Sequence, residues 1–261
     1  SIYFQKNSMK KKELFIGRQP ALEILRSDKA VEKIMLQKGA SGTEIDEIKK
    51  LCEEKSIAVQ TVPKEKIAYL LFPIYQHEVP NHQGVVGLYG EVQYFKLDDI
   101  YNQVLESGEL ALFMVLDGIT DVRNFGAIAR TAEAMGVHAI VIPEKGVAQV
   151  NTEAVKASAG AIHNIPICRE KALNDVYKYF KLNGIQIVSS SLKAEKNVDQ
   201  IDFTLPTAIV MGSEGKGIST MSKDYSDQSF IIPMRGTVNS LNVSVSAGMI
   251  LYEADKQRSE I

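Results

Sequence analysis

The sequence predicts an α/β protein of two units, a small α/β unit followed by a larger one with a parallel, helix-covered sheet. Short β-branched runs alternate with amphipathic helical stretches along the 261 residues. The composition, 45% hydrophobic and 24% charged, suffices for one or two cored domains. No run approaches the ~18 apolar residues of a membrane-spanning helix, and the start of the chain lacks an apolar signal core. We therefore expect a cytoplasmic protein without a membrane partner.

The first unit is predicted to be a small α/β sandwich over residues 9–93. Its elements alternate in a way typical of that architecture. Helices are predicted at 20–26, 43–55 and 64–71, and strands at 31–37, 57–62 and 85–89. Residues 1–8 resemble the remnant of a protease-cleavage tag, so the fold prediction begins at Met9.

Residues 94–108 are predicted to be a short linker between the two units. The pattern over 96–105 is helical, and Glu106-Ser107-Gly108 is expected to end that helix. A helix of this length favours a tether with a defined shape over a flexible linker.

The second unit, residues 109–261, repeats strand and helix. Strands are predicted at 112–116, 138–142, 165–168, 186–190, 208–211 and 230–233, and helices at 124–136, 152–159, 172–182 and from Val243 onward. Such alternation predicts parallel strands joined by helical crossovers. Periodicity alone favours an ordinary unknotted, doubly wound sheet.

Three polar segments interrupt this regular pattern. In the first, residues 116–137, a polar loop follows a buried strand and leads into a helix for which Asn124 is the natural N-cap. Arg130 points away from the apolar face of that helix. It can therefore meet a phosphate, or it can pair on the surface with Glu133 about one turn further on.

The second segment, residues 208–219, is a short strand that runs into a turn with glycines at Gly212, Gly215 and Gly217. Glycines let a ligand approach the backbone closely. Their spacing fits neither the dinucleotide fingerprint nor the phosphate-binding loop. Glu214 would repel an anion but could accept hydrogen bonds from sugar hydroxyls. A tight turn with a solvated glutamate is the alternative interpretation.

The third segment, residues 232–254, places Ser240-Leu241-Asn242 at the start of an apolar helix. Ser240 or Asn242 could cap that helix, or the triplet could form a binding site. The apolar side of the helix is predicted to carry Val243, Ala247, Met249, Ile250, Leu251 and Ala254.

The three polar segments, in this order, resemble the signature motifs of the SpoU (TrmH) family of RNA ribose 2′-O-methyltransferases. The matching residues are N-F-G-A-I-A-R, V-M-G-S-E-G-K-G-I-S and I-P-M-x-G-x-V-x-S-L-N-V-S-V. The resemblance implies a C-terminal trefoil-knot (SPOUT) domain, S-adenosylmethionine as cofactor and a homodimer. Residues 17–25 are similar to the opening of the L30e-like RNA substrate-binding domain of the RlmB type of 23S rRNA (guanosine-2′-O) methyltransferases, although Ala21 replaces a valine there.

The same resemblance implies roles for individual residues. Residues matching the cofactor site are Met211, Gly212, Glu214, Ile232, Met234, Leu241 and Ser246. Residues matching those around the reacting ribose are Asn124, Arg130, Glu214, Ser240 and Asn242. Because a guanidinium keeps its proton, we expect Arg130 to bind phosphate and stabilise developing negative charge instead of acting as the base. The chemistry requires no metal.

The charge pattern supports an RNA partner only weakly. The chain has a net charge of −2, whereas residues 9–90 carry 13 Lys and Arg against 11 Asp and Glu. RNA binders usually carry a basic surface. Lys10-Lys11-Lys12 and Arg18 are the candidates in the first unit, and a solvated surface is the alternative.

Cys52, Cys168 and the four histidines lack disulfide or zinc spacing, so reduced core thiols and no metal are expected. Two other functions stay open from the sequence: a non-catalytic RNA-binding or ribosome-assembly factor, and a nicotinamide-dependent dehydrogenase. The dehydrogenase is disfavoured because no G-x-G-x-x-G follows a strand. The target could also be a tRNA.

Overall fold

The structure is a computed structural model that describes residues 13–76 and 78–260. The chain divides into two compact units between Gln93 and Tyr94. The predicted tag remnant and the basic run at 10–12 lie outside the described residues.

The first unit contains a four-stranded sheet in the order β1-β4-β2-β3. These strands are β1 Leu14–Ile16, β2 Val31–Gln37, β3 Ala58–Val62 and β4 Val85–Tyr89. β4 runs antiparallel to β1 and β2, and β2 is parallel to β3. The helices are α1 Arg18–Arg26, α2 Thr43–Glu54 and α3 Lys64–Tyr75. Every predicted element of this unit is confirmed, and β1 is an addition.

Alternation along the strands buries both faces of this sheet. Ile34, Leu36 and Val85 share a core with α1 and α2. Met35 and Val86 point to the opposite face, where they pack with residues of α3. Since side chains alternate between faces of a strand, one short sheet can support helices on both sides. The predicted α/β sandwich is therefore confirmed.

The second unit contains an eight-stranded sheet in the order β10-β12-β9-β11-β6-β7-β8-β5. Its strands are β5 Tyr94–Phe95, β6 Leu112–Asp117, β7 Ala139–Pro143, β8 Ile167–Glu170, β9 Gln186–Ser190, β10 Lys196–Asn197, β11 Thr207–Gly212 and β12 Gln228–Ile231. All paired neighbours are parallel, as predicted. Its helices are α4 Leu97–Ser107, α5 Val122–Ala134, α6 Thr152–Ala157, α7 Leu173–Leu182, α8 Thr220–Tyr225 and α9 Val243–Arg258. The knot implied by the motifs stays a prediction.

The prediction of a tether at 94–108 is wrong, because this segment is an integral part of the second unit. β5 pairs with β8, and one face of α4 is buried in the core. Its buried residues are Leu97, Ile100, Tyr101 and Val104. This spacing makes an apolar stripe that is stable only when covered. The helix itself is confirmed, and Gly108 ends it in the left-handed conformation at φ 72°.

The last turn of α9 is tied back to the beginning of the unit by Arg258. Its guanidinium donates hydrogen bonds to four backbone carbonyls, those of Leu110, Ala111, Phe203 and Leu205. Burial lowers the pKa of Arg258 to about 10, which still leaves the group charged at neutral pH. The carbonyl dipoles thus stabilise a cation that has left bulk water.

The buried face of α9 is mostly as predicted. Val243, Ala247, Ile250, Leu251 and Ala254 are buried. The prediction for Met249 is wrong, because this residue lies on the opposite face of α9 and is 45% exposed. Cys52 and Cys168 are buried free thiols, as expected. No described helix combines the length and apolar character needed to cross a bilayer.

Candidate active site

The candidate site lies at the carboxyl edge of the parallel sheet. There Asp117, at the end of β6, is paired in register with Gly212 at the end of β11. Residues 118–121 lead from β6 into α5, and a glycine-rich turn follows β11. Ligands of open α/β sheets bind at this edge, because the loops that follow parallel strands converge there.

Asp121, not Asn124, caps helix α5. The Asp121 carboxylate accepts the backbone N–H groups of Arg123 at 2.8 Å and Asn124 at 3.1 Å. The predicted N-cap was therefore wrong by three residues, because Asp and Asn cap equally well and the helix begins earlier than its apolar face suggests. As a consequence, the amide side chain of Asn124 is available to the site.

Glu214 joins the three polar segments through one carboxylate oxygen. Its Oε1 accepts hydrogen bonds from Asn242 Nδ2 at 2.7 Å, the Val243 N–H at 3.2 Å and Asn124 Nδ2 at 3.3 Å. Asn242 Nδ2 also donates to Asn124 Oδ1 at 3.0 Å. A carboxylate strengthens such bonds, so these contacts fix the three segments relative to one another. We call Asn124, Glu214 and Asn242 the Glu214 network.

Asn242 has two roles at once. Its Oδ1 caps α9 by accepting the N–H groups of Ser244 at 2.9 Å and Val245 at 3.4 Å, while its Nδ2 belongs to the Glu214 network. The sequence offered a cap and a binding site as alternatives, and the structure supports the cap while placing the same side chain beside Glu214.

The glycines of the second segment shape the turn that presents Glu214. A Cβ on Gly212 would lie 2.1–2.4 Å from backbone atoms of Gly217 and Ile218, so only glycine fits there. Gly217 N–H donates to the Ser213 carbonyl at 2.8 Å and closes the turn. Gly215 and Gly217 adopt φ values of 80° and 68°, which favour glycine.

Asp117 is a site residue that the sequence analysis missed. Its Oδ2 accepts the Ser219 N–H at 2.6 Å and the Ser222 hydroxyl at 2.7 Å, and Ser222 also bonds to the Tyr177 hydroxyl at 2.7 Å. Burial raises the pKa of Tyr177. Asp117 therefore holds the far end of the glycine-rich turn. An acidic residue directly after a buried strand was the signal that could have found it.

Arg130 and Ser240 stand apart from the Glu214 network. Both are exposed, and neither side chain makes a hydrogen bond or ion pair with another described residue. The pairing of Arg130 with Glu133 is therefore wrong, because no ion pair joins these two residues. Arg130 lies six residues after Asn124 on α5, about 9 Å further along the helix axis. Its charge is left available to a ligand.

The residues expected to hold the cofactor come from the end of β11, the segment that follows β12 and the first turn of α9. Met211 and Ile232 are buried, whereas Met234, Leu241 and Ser246 are half-buried. β9 lies between β11 and β12 in the sheet, so its carboxyl end at Ser190 lies between the carboxyl ends of these two strands. Apolar walls with nearby backbone groups suit adenine, so the residues fit a nucleoside cofactor. The serine run Ser189-Ser190-Ser191, in which β9 ends, was not singled out from the sequence.

Within residues 13–76 and 78–260, no cluster of three or more His, Cys, Asp or Glu side chains could hold a metal ion.

Two family models match the chain. Residues 111–252 match the SpoU rRNA Methylase family, and residues 14–95 match the model for RNA 2′-O ribose methyltransferase substrate binding.

The chain belongs to the SpoU (TrmH) family. It is 34% identical over 246 residues to YacO of Bacillus subtilis (strain 168), whose name describes it as a TrmH family tRNA/rRNA methyltransferase. The match covers 94% of this chain and 96% of YacO.

Solved structures agree with this SpoU assignment. The A. aeolicus TrmH/SpoU tRNA modifying enzyme is 32% identical, with a TM-score of 0.54 over 62% of this chain and 85% of that one. AviRb from Streptomyces viridochromogenes, a SpoU methyltransferase solved with AdoMet, shares the fold at 24% identity, with a TM-score of 0.60 over 95% and 91% of the two chains.

Membership in the SpoU family confirms the enzyme class and the cofactor that the motifs implied. The protein is an S-adenosylmethionine-dependent RNA 2′-O-methyltransferase with a substrate-binding domain before its methyltransferase domain. The dehydrogenase interpretation is wrong, since a methyltransferase family model covers the parallel-sheet unit.

Proposed function

We propose that this SpoU enzyme methylates the ribose 2′-hydroxyl of a guanosine in 23S rRNA. The observation that carries the catalytic part is the Glu214 network, because it brings residues of all three motifs to one point beside the residues expected to hold the cofactor. The rRNA target is supported by the family description and by the similarity of residues 17–25 to the RlmB type.

A tRNA target is the second candidate. The A. aeolicus relative is named as a tRNA modifying enzyme, and the name of YacO includes both RNA classes. The tRNA modifying enzyme matches only 62% of this chain, however, whereas a substrate-binding model also matches residues 14–95 here. An additional RNA-binding unit favours a large folded RNA as substrate, which is why we place rRNA first.

Met211, Gly212, Ile232, Met234, Leu241 and Ser246 hold the cofactor in this proposal, with Glu214 close by. When bound, the cofactor supplies a methyl group made electrophilic by its sulfonium. The protein must then place the ribose hydroxyl in line with that methyl and exclude wrong orientations. The rigid contacts of Asn124 and Asn242 with Glu214 suit this positioning role.

Arg130 acts on the phosphate beside the reacting ribose. Its guanidinium is exposed and has no anionic partner among the described residues, so a phosphate can bind it without displacing an internal contact. Because Arg130 keeps its proton, it stabilises negative charge and does not take the hydroxyl proton. In this proposal Ser240, which is exposed two residues before Asn242, orients the substrate.

We also propose that the enzyme is a homodimer in the cytoplasm, with α9 in the subunit interface. Val245, Met249 and Tyr252 are 53%, 45% and 64% exposed, and their spacing puts them on one face of α9. Contiguous apolar side chains on a surface helix mark an interaction site. Sedimentation analysis of Met249→Glu should show monomers where the wild-type protein is dimeric.

The decisive experiment maps ribose methylation of total RNA. It compares a strain lacking the gene, its parent, and the deletion strain complemented with wild type or with Arg130→Ala. Loss of one 2′-O-methyl group in 23S rRNA, restored only by the wild-type gene, would establish activity and target. Loss of a tRNA methyl would move the target to the second candidate, and an unchanged map would contradict both.

A purified-protein assay tests the role of Arg130 directly. Arg130→Ala should reduce kcat about 1,000-fold, by analogy with the loss of one transition-state contact, while cofactor affinity persists. Lys178→Ala, which removes an exposed cation on α7, serves as the matched control and should keep wild-type activity. Near-normal turnover of Arg130→Ala would contradict the proposed role.

A further inference from the structure

The first unit contains a polar groove with a volume of about 650 Å³. It is lined by the starts of α1 and α3, the turn after β2 and the loop before β4. Three cations line it, Arg18, Lys38 and Lys64, and its described lining contains no Asp or Glu. A groove lined by positive charges alone contrasts with the chain as a whole, whose net charge is −2. We call it the basic groove.

Three helices begin at the basic groove. Arg18 is the first residue of α1, Lys64 is the first residue of α3, and Ser41 lies just before Gly42, which precedes α2. α2 and α3 have no side-chain cap, whereas at the start of α1 the Arg18 N–H donates to Gln83 Oε1 at 3.3 Å. Uncapped N-termini carry free N–H groups and partial positive charge, so they favour anions. The backbone thus adds to the attraction from the three side chains.

The loop that forms one wall of the groove is held rigidly by its own hydrogen bonds. The Gly84 N–H donates to His82 Nδ1 at 3.0 Å, and the Gln83 N–H donates to Asn81 Oδ1 at 3.1 Å. Arg18 Nε donates to the Gln83 carbonyl at 3.1 Å. The Gln37 N–H donates to the Gly84 carbonyl at 2.8 Å, which fixes the loop to β2. A ligand therefore meets a preformed surface.

The cations of the groove are poorly neutralised by the protein itself. Arg18 approaches Glu44 at 3.4 Å, whereas Lys38 and Lys64 make no ion pair with any described residue. Arg26 on α1 shows the contrast, because it is paired with Glu47 at 2.5 Å. The charge of Lys64 also reaches His82, whose pKa is lowered by burial and then by that lysine. Two lysines facing one groove without counterions are suited to a ligand with at least two anionic groups.

We propose that the basic groove binds consecutive phosphates of the RNA substrate. Phosphate contacts supply affinity and position without reading the sequence, which suits a unit that holds RNA while another unit does chemistry. The inference rests on the proposed function insofar as the ligand is the RNA that is methylated. The groove then contributes to substrate affinity, and Lys38 and Lys64 are positioning residues that touch the RNA backbone.

The test uses the full-length protein and unmodified 23S rRNA made by in vitro transcription. Filter binding at several salt concentrations compares wild type, Lys38→Ala/Lys64→Ala and the charge-matched control Lys49→Ala/Lys178→Ala. The groove variant should bind at least 10-fold more weakly. Its salt slope should fall by about 1.4 to 1.8, since each of the two lost phosphate contacts removes about 0.7 to 0.9. KM for RNA should rise while kcat and cofactor affinity stay unchanged, and thermal unfolding should confirm that the variants fold.

Two outcomes would overturn the inference: unchanged RNA affinity of the groove variant, or an equal loss of RNA affinity in the control variant. If wild type binds RNA through the groove but does not methylate 23S rRNA, the proposed target fails and the groove stands. If wild type methylates 23S rRNA and the groove variant does so equally at low RNA, the groove fails alone.

Discussion

The two units of this protein differ in whether their charged side chains have partners within the protein. In the basic groove of the first unit, Lys38 and Lys64 lie open without counterions in the described structure. At the sheet edge of the second unit, Glu214 and Asp117 accept internal hydrogen bonds. Open charges can each be satisfied separately by a ligand, whereas internally bonded charges organise the loops before any ligand arrives.

This difference teaches what to expect from mutations in each unit. Losses of RNA-binding free energy caused by mutations in the groove should add, because each lysine contacts the ligand independently. Losses of activity caused by mutations around Glu214 should not add, because removal of one hydrogen-bond partner also displaces the others. The following four predictions test the second half of this comparison, where charges are bonded internally.

Among these four predictions, the largest effect is expected at Glu214. Glu214→Ala removes three hydrogen bonds from one oxygen and releases the loops of all three motifs, so kcat should fall at least about 100-fold. Glu214→Gln keeps an oxygen acceptor and should recover part of the activity. Steady-state kinetics on the rRNA substrate measures both. Equal activities of the alanine and glutamine variants would show that the acceptor oxygen is not what matters.

A loss of stability is expected at Asp117. Asp117→Ala breaks the bonds to Ser219 and Ser222, and we expect the free energy of unfolding to fall by about 2–3 kcal/mol. Urea unfolding monitors the change, with Asp224→Ala, an exposed aspartate in α8, as the control. Similar losses in the two variants would assign the effect to α8 in general instead of the Asp117 contacts.

A somewhat smaller loss is expected at Arg258. A lysine cannot reproduce a planar guanidinium that bonds to four carbonyls, so Arg258→Lys should lower the free energy of unfolding by about 2 kcal/mol. The charge is unchanged, so the comparison isolates geometry. Thermal unfolding measures it, and a wild-type Tm would mean that charge alone stabilises this end of the unit.

The smallest effect is a pH dependence at Glu170, whose Oε1 accepts the Leu97 N–H at 2.8 Å at the start of α4. Burial raises the pKa of Glu170 above its ordinary value of 4.5, against the opposing effect of the Leu97 bond. The folded state therefore holds a proton more tightly than the unfolded chain, and this group's contribution to stability grows as pH falls from neutral and levels off below about 4.5.

Glu170→Gln keeps the acceptor for Leu97 without the buried charge. At pH 7.5 the variant should be more stable than wild type by at most about 1 kcal/mol. The gap should close as pH approaches 4.5, as measured by urea unfolding between pH 4.5 and 7.5. A gap that widens toward low pH would reverse the sign assigned to Glu170.

The long elements could be predicted from the sequence because their periodicity extends over several turns or a full strand. β1, β5 and β10 could not, since two or three residues give no period. The tether at 94–108 was misassigned because an amphipathic helix does not reveal which core covers it. Met249 was placed on the wrong face of α9, since the apolar residues of that helix occupy more than one side.

The site was predictable only in part. The motifs identified Asn124, Glu214 and Asn242, but the sequence could not show that a single carboxylate oxygen joins them. It also missed Asp117, whose partners lie about 100 residues away. The basic groove combines residues from four separate stretches of the first unit, so no local pattern contains it.

The hydrogen bonds of Arg258 have a consequence for how the protein is made. They join the last helix to residues just before β6, about 150 positions earlier in the chain. α9 is synthesised after every other element of the methyltransferase unit, so this unit lacks the Arg258 contacts during most of its synthesis. The substrate-binding unit, completed by β4, can fold much sooner. During translation, the substrate-binding unit would therefore be folded before the methyltransferase unit is complete.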